Sequence, residues 1–354
     1  MTIHSTSPLN DVFSAFGARM STRYGIAAPA SYGDLSREYA AIRSGVAIID
    51  LPWYGVLDFT GNDRTEFLHN MLSNDVKKLS VGEGCRSGVL TVQGKMVGDG
   101  IVMQRSDSIT MLVDANRRDA VATHLDTYLI ADDVEIHAPD HAVIGITGPN
   151  AWKILRDLNI PAPDVLWNHR TEGDITAVRI KLTGEPTWAL IVARESAVGL
   201  WKRCIDVGAT PAGTDAMDAA RIESGLPIYG YEATEERFPL EAGLAETIST
   251  EKGCYLGQET IIRILHRGHV NRDLCGIKLQ TDAVPLVPSD VISGDQSIGT
   301  LTSAGYSPRL GRVIGLAILR ARKIELGATV VVQTPDGPVD AQITQLPFVN
   351  ADET

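Results

Sequence analysis

Twice in this chain a short apolar run ends in Thr-Gly, turns, and feeds an amphipathic helical stretch. The first unit is a strand over 56–60, the turn Gly61-Asn62, and a helix over 63–72 with Phe67, Leu68, Met71 and Leu72 on one side. The second is a strand over 142–147, the turn Gly148-Pro149-Asn150, and a helix over 151–158. Such a repeat is what paired split βαβ units produce, so the chain has to mix helices and strands. At 354 residues it is too long for one small core and suits two or three packed units.

Between the two units the spacing predicts strands over 86–92, Met96–Gln104 and Ile109–Asp114, punctuated by Gly88, Gly94, Gly98 and Gly100. A helix over 116–129 follows, with Val121, Leu125 and Leu129 one turn apart. Further helices are predicted over 35–43 (stopped by Gly45), 197–207 and 214–224, the last with Thr214 as N-cap and Gly225 after its end. Strands are predicted over 178–182 and 189–193. From about Leu274 to Phe348 the texture changes to Gly, Pro and Val/Ile alternation without a long helical pattern. That marks a separate small β-rich domain, giving an α+β chain with regions 1–273 and 274–354.

The formal charge is −12 and no run of five or more Lys/Arg occurs, so no extensive nucleic-acid surface is expected; a local basic pocket for a small anion is still compatible. No stretch of 18 apolar residues is present, and 1–20 lacks the basic-then-apolar order of a signal peptide. The expected setting is cytoplasmic, with no membrane partner. Cys85, Cys204, Cys254 and Cys275 include no C-x-x-C pair, which speaks for reduced thiols rather than a zinc ribbon or disulfide framework.

The most unusual segment is KGCYLGQET, 252–260. Gly253 permits a close backbone approach or a sharp turn. The Cys254 thiol pKa falls if the Lys252 ammonium points at the sulfur. Glu259 opens a helix over 258–265, where a carboxylate favours the positive end. The plainer reading is a Gly-rich loop with a buried thiol. Arg263, His266, Arg267 and His269 follow; two histidines three apart are a poor metal signal without a third ligand, and cations near a helix C-terminus are the better account. No metal ligands are assigned. Asp99 stands between Gly98 and Gly100 in a predicted strand, where glycines leave room for a ligand; otherwise it is an outward strand carboxylate. Asp114 ends a strand before a helix, where capping is the ordinary role.

These segments resemble a known family. KGCYLGQET, with Pro239-Leu240-Glu241-Ala242-Gly243-Leu244 upstream and Arg263 downstream, is similar to the signature loop of the YgfZ-like branch of the glycine-cleavage T-protein (aminomethyltransferase) superfamily. Arg43-Ser44-Gly45-Val46 before Asp50, Thr60-Gly61, Gly148-Pro149, Arg221-Ile222-Glu223-Ser224-Gly225 and LTSAGYSPRLGRVIGLAIL extend the likeness over most of the chain. The resemblance implies a three-domain ring with tetrahydrofolate, or a one-carbon derivative, in a central cavity of 1–273, and a C-terminal β-barrel. It puts Asp99 where the transferases keep a carboxylate beside folate N5. Asp114 falls near an asparagine that contacts the pterin, where an acceptor-only carboxylate matches two N–H donors. Arg86 takes the place of a common tyrosine, and Ala189 that of a pterin-binding glutamate. The transferases lack the thiol loop.

The reading is therefore a tetrahydrofolate-binding accessory protein of iron–sulfur enzyme maintenance or tRNA modification, with iron–sulfur proteins as partners. Cys254 and Asp99 are its reactive groups. Arg86, Asp99, Asp114, Lys252, Gly253, Tyr255, Gln258, Glu259 and Arg263 line the folate site. Arg86, Arg263 and Arg267 are candidates for the anionic folate tail. The alternative is a folate-dependent one-carbon transferase, either an aminomethyltransferase or a demethylase; a binding module without folate is a third reading.

Overall fold

The computed structural model describes residues 7–349. The two strand–Thr-Gly–helix units seed two different sheets. Tyr54–Thr60 lies in a five-stranded sheet ordered Gly84–Leu90, Met96–Gln104, Ile109–Asp114, Tyr54–Thr60, Glu135–His137. His141–Thr147 lies in a six-stranded sheet ordered His169–Glu172, Ile175–Ile180, Thr187–Ala193, His141–Thr147, Ala47–Asp50, Thr210–Pro211. All ladders are antiparallel except the parallel pairing of Thr210–Pro211 with Ala47–Asp50. The chain starts the six-stranded sheet with Ala47–Asp50, crosses to build the five-stranded one, and returns at His141.

The shared glycines have one cause. Gly61 has φ +96° and a Cβ there would stand 2.0 Å from the Asp133 carbonyl oxygen; Gly148 has φ +119° and a Cβ would stand 2.6 Å from the Gly45 carbonyl oxygen. Each turn needs both a left-handed backbone and an absent side chain, which glycine alone supplies.

Residues Arg272–Leu279, Arg312–Arg320, Gln296–Ser307, Ser289–Ser293, Thr329–Thr334 and Gly337–Thr344 close into a six-stranded barrel around Ile277, Val291, Leu301, Val313, Val332 and Ile343. Helix Thr214–Glu223 is the strut between barrel and sheets, and nearly every residue in it is buried. Ile222 packs on Ile314 and Leu316. Arg221 ion-pairs with Asp218 at 3.0 Å and Glu232 at 3.3 Å and donates to Ser303 Oγ at 2.9 Å. Glu223 accepts from Arg43, Tyr39 and Ser307 at 2.5–2.6 Å. Buried charges in such a strut are tolerated because each is paired.

Some expectations change. The N-cap of the strut is Gly213, not Thr214, whose buried hydroxyl has no hydrogen-bond partner among the described residues. The helix expected over 116–129 runs Arg118–Asp126, and the one expected over 258–265 runs Gln258–Arg267. A hairpin of Arg19–Arg23 and Ile26–Ser31 was not foreseen. Among the described residues no helix is long and apolar enough to cross a membrane.

Candidate active site

The Gly-rich hairpin of the five-stranded sheet makes the site. In its register Gly88 faces Asp99 and Arg86 faces Ile101, so Arg86 and Asp99 are diagonal neighbours on one face. Arg86 Nε donates to Asp99 Oδ2 at 2.7 Å, and Arg86 Nη1 reaches Glu246 at 3.2 Å. Asp99 is buried and Arg86 nearly so. Glu246 also pairs with Lys181, so the charges alternate Lys181, Glu246, Arg86, Asp99. Burial pulls the Arg86 guanidinium down, but Asp99, Tyr54 and Glu246 outweigh it and hold it above its ordinary value.

Asp114 ends the third strand, opposite Tyr54. Its Oδ1 accepts the Asn116 amide at 2.9 Å, a turn contact ahead of helix Arg118–Asp126 rather than the capping contact expected of it, since that helix is capped at Arg117 without a side-chain bond. Asp114 also lines a cavity with Asp99, Arg86, Trp53, Tyr54, Trp167, Lys181 and Tyr229. Burial, with the Asp99 charge adding to it, pushes the Asp114 carboxyl up to about 6. Burial pushes Tyr54 and Tyr229 up to about 12, so both phenols stay neutral donors. Tyr229 Oη donates to the Val97 carbonyl at 3.2 Å, which fixes that ring beside the hairpin. The cavity thus offers carboxylate acceptors, four flat aromatic side chains and three cations, of which Arg221 is already paired with Asp218 and Glu232.

Sequence reasoning missed Glu246 and Lys181. They are far from the hairpin in sequence, and only the return of the short helical turn Ala245–Thr247 past the hairpin joins them. Ala189 lies in the apolar core beneath, with Ile101, Leu112, Trp53 and Trp167 packed on the same cluster.

The thiol loop lies outside this cavity. None of Lys252, Gly253, Cys254, Tyr255, Gln258, Glu259 or Arg263 is among its lining residues. Lys252 Nζ donates to the carbonyls of His69, Leu72 (2.7 Å) and Asn74 (3.0 Å). An ammonium has three donors, so none is left for the Cys254 sulfur, and Lys252 does not point at it as the sequence suggested. Lys252 instead closes the C-terminal carbonyls of helix Arg64–Met71, and burial lowers it to about 8. Tyr255 is buried among Leu90, Met96, Leu244, Ile248 and Ile261. Gln258 donates weakly to the Gly253 carbonyl at 3.4 Å. Glu259 and Arg263 form an exposed pair at 2.6 Å, so Arg263 does not face the cavity. The Arg267 side chain lies outside the described residues. Cys254 is exposed, whereas Cys204 and Cys275 are buried and Cys85 half-buried.

The glycine reading also shifts by four residues. A Cβ on Gly253 would meet nothing within 4 Å, while one on Gly257, at φ +81°, would stand 2.4 Å from the Thr91 carbonyl oxygen and 3.1 Å from Gly94 Cα. Gly257 therefore lets the loop sit on the turn that joins the two strands of the Asp99 hairpin.

Residues 9–252 match the family described as the GCVT N-terminal domain, and 272–350 match the glycine cleavage T-protein C-terminal barrel domain. An aminomethyltransferase of Rubrobacter xylanophilus is 31% identical over 351 residues, covering 97% of this chain and 93% of that protein. One of Halalkalibacterium halodurans is 28% identical, covering 98% and 99%. The crystal structure of glycine cleavage system aminomethyltransferase T from Bartonella henselae superposes with a TM-score of 0.89 at 21% identity, covering 97% of both chains, a likeness of fold. With matched domains over most of its length and a relative above 30% identity, the chain belongs to the glycine cleavage T-protein family.

Proposed function

We propose that this chain is a folate-dependent one-carbon transferase that binds tetrahydrofolate in the Asp99 cavity. This reverses the order of the two sequence readings, because the relatives reported above are aminomethyltransferases rather than YgfZ-like proteins. The observation that carries the proposal is a buried carboxylate, Asp99, held by Arg86 at 2.7 Å inside an aromatic cavity. The donor set fits a reduced pterin: Asp99 and Asp114 accept from N–H edges, and Trp53, Tyr54, Trp167 and Tyr229 offer faces for a flat ring. When bound, tetrahydrofolate supplies N5 as the acceptor of the one-carbon unit.

The roles of the chain's own groups follow from their charges. Asp99, held by Arg86, is placed to stabilise positive charge that develops beside it. Arg86 and Lys181 are the cations available to an anionic tail. Turnover of an aminomethyl or methyl donor with tetrahydrofolate tests the reading. It predicts activity that falls by at least about a hundredfold in Asp99→Asn, the loss typical of a removed electrostatic contact. No turnover with either donor class rejects it.

One observation favours the accessory reading as a second choice: Cys254 is exposed at the tip of a loop braced on the Asp99 hairpin. In that reading the thiol serves iron–sulfur enzyme maintenance or tRNA modification in the cytoplasm, with iron–sulfur proteins as partners. Cys254→Ser then lowers iron–sulfur enzyme activity in cells; full activity in that strain excludes the role.

A further inference from the structure

A second polar cavity lies where the two sheets abut, lined by Ser7, Asp50, Tyr54, Arg118, His141 and Arg194 among others. Three of these come from strand ends of the six-stranded sheet. Asp50 closes Ala47–Asp50, His141 opens His141–Thr147, and Arg194 follows Ala193, whose register partner is His141. The other wall is the Tyr54–Thr60 strand and helix Arg118–Asp126. A Cβ on Gly55 would stand 3.0 Å from Arg118 Cδ, so the bare glycine lets the arginine stem lie along the strand. The cavity holds about 230 Å³, far above the ~15 Å³ that one water needs.

Its polar lining is incomplete. Asp50 is only 5% exposed, yet among the described residues its Oδ2 has no hydrogen-bond partner, and neither has the buried His141 Nδ1. A buried acceptor without a donor is costly and rare, and it calls for a group that supplies one. Burial pushes the Asp50 carboxyl up to about 7, despite bonds from Ser7 and the Leu51 amide and the nearby Arg194 charge. Arg118 is mostly buried, with Nε only 3.4 Å from the exposed Asp119. The charged lining is balanced: Arg118 and Arg194 against Asp50 and Asp140. An anion alone leaves Asp50 Oδ2 unmatched; a cation alone leaves Arg118 with its long 3.4 Å contact to exposed Asp119. We propose that this cavity binds a small zwitterion of the α-amino-acid class, its ammonium on Asp50 and its carboxylate on Arg118. The site is separate from the Asp99 cavity, and Tyr54 lines both.

The test titrates the full chain with the standard α-amino acids by calorimetry and thermal shift, with ethylamine and acetate as single-charge controls. At least one amino acid gives saturable heat and a raised melting temperature, while both controls bind at least about tenfold more weakly. Asp50→Asn keeps an acceptor for Ser7 and Leu51 and removes the unmatched charge, so the ligand-free variant melts no lower than the parent. Its amino-acid affinity falls at least about tenfold, as does that of Arg118→Met at the opposite pole. The proposal is overturned by no saturable binding of any amino acid, by equal affinity in both variants, or by ethylamine or acetate binding as tightly.

Discussion

Replacing Arg86 by Leu strips the partner from a buried carboxylate. At 2.7 Å and an effective dielectric of about 20, the gross Arg86–Asp99 attraction is on the order of 6 kcal/mol. Part of that offsets the desolvation of both ions, and breaking one side of a buried pair costs about 3–5 kcal/mol in practice. Arg86→Leu should lose that amount in urea unfolding at neutral pH. Adding Asp99→Asn removes the stranded charge and should recover most of the loss, to within about 1.5 kcal/mol of the parent. A single-variant loss under about 1 kcal/mol, or a double variant as unstable as the sum of its parts, refutes the claim that this pair is a desolvated unit.

Three further outcomes follow from the geometry. Gly257→Ala should cost at least about 2 kcal/mol in thermal unfolding, since it forces a side chain into φ +81° against the Thr91 carbonyl, whereas Gly253→Ala should stay within about 0.5 kcal/mol. Native protein should release one fast equivalent in a thiol titration, from exposed Cys254. Cys85, Cys204 and Cys275, each pushed to about 12 by burial, should react only after unfolding, and three fast equivalents would contradict the burial assigned to them. Asp114, raised to about 6, makes its stability contribution below pH 4 and loses it as pH rises to 6. Asp114→Asn should therefore be more stable than the parent above pH 6 and no more stable at pH 4, as read by melting temperature across that range.

The fold was legible where apolar periodicity and turn chemistry agreed. Met96–Gln104 and Ile109–Asp114 were read to the residue, because each is a run of strand formers ended by polar or turn residues. Thr60-Gly61 and Thr147-Gly148 were legible as a repeat because both turns demand glycine for the same steric reason. The hairpin Arg19–Arg23 with Ile26–Ser31 was not, since its first strand is mostly polar and exposed. Asp99, Asp114 and Arg86, singled out through the family resemblance, do line one cavity. KGCYLGQET does not line that cavity. Its composition suggested ligand contact, but the lysine closes a helix, the tyrosine fills a core, and the crowded glycine is Gly257. Those roles depend on carbonyls of residues 69–74 and 91, and no local pattern reveals which distant backbone a side chain will meet.

The claim that matters most is that the Asp99 cavity takes a reduced folate, and titration of the parent and Asp99→Asn with tetrahydrofolate tests it most directly. Trp53 and Trp167 line that cavity, so tryptophan fluorescence should change saturably in the parent, with a matching rise in melting temperature. In Asp99→Asn the affinity should fall by at least about tenfold. A parent protein that shows neither a saturable fluorescence change nor a thermal shift would contradict the account.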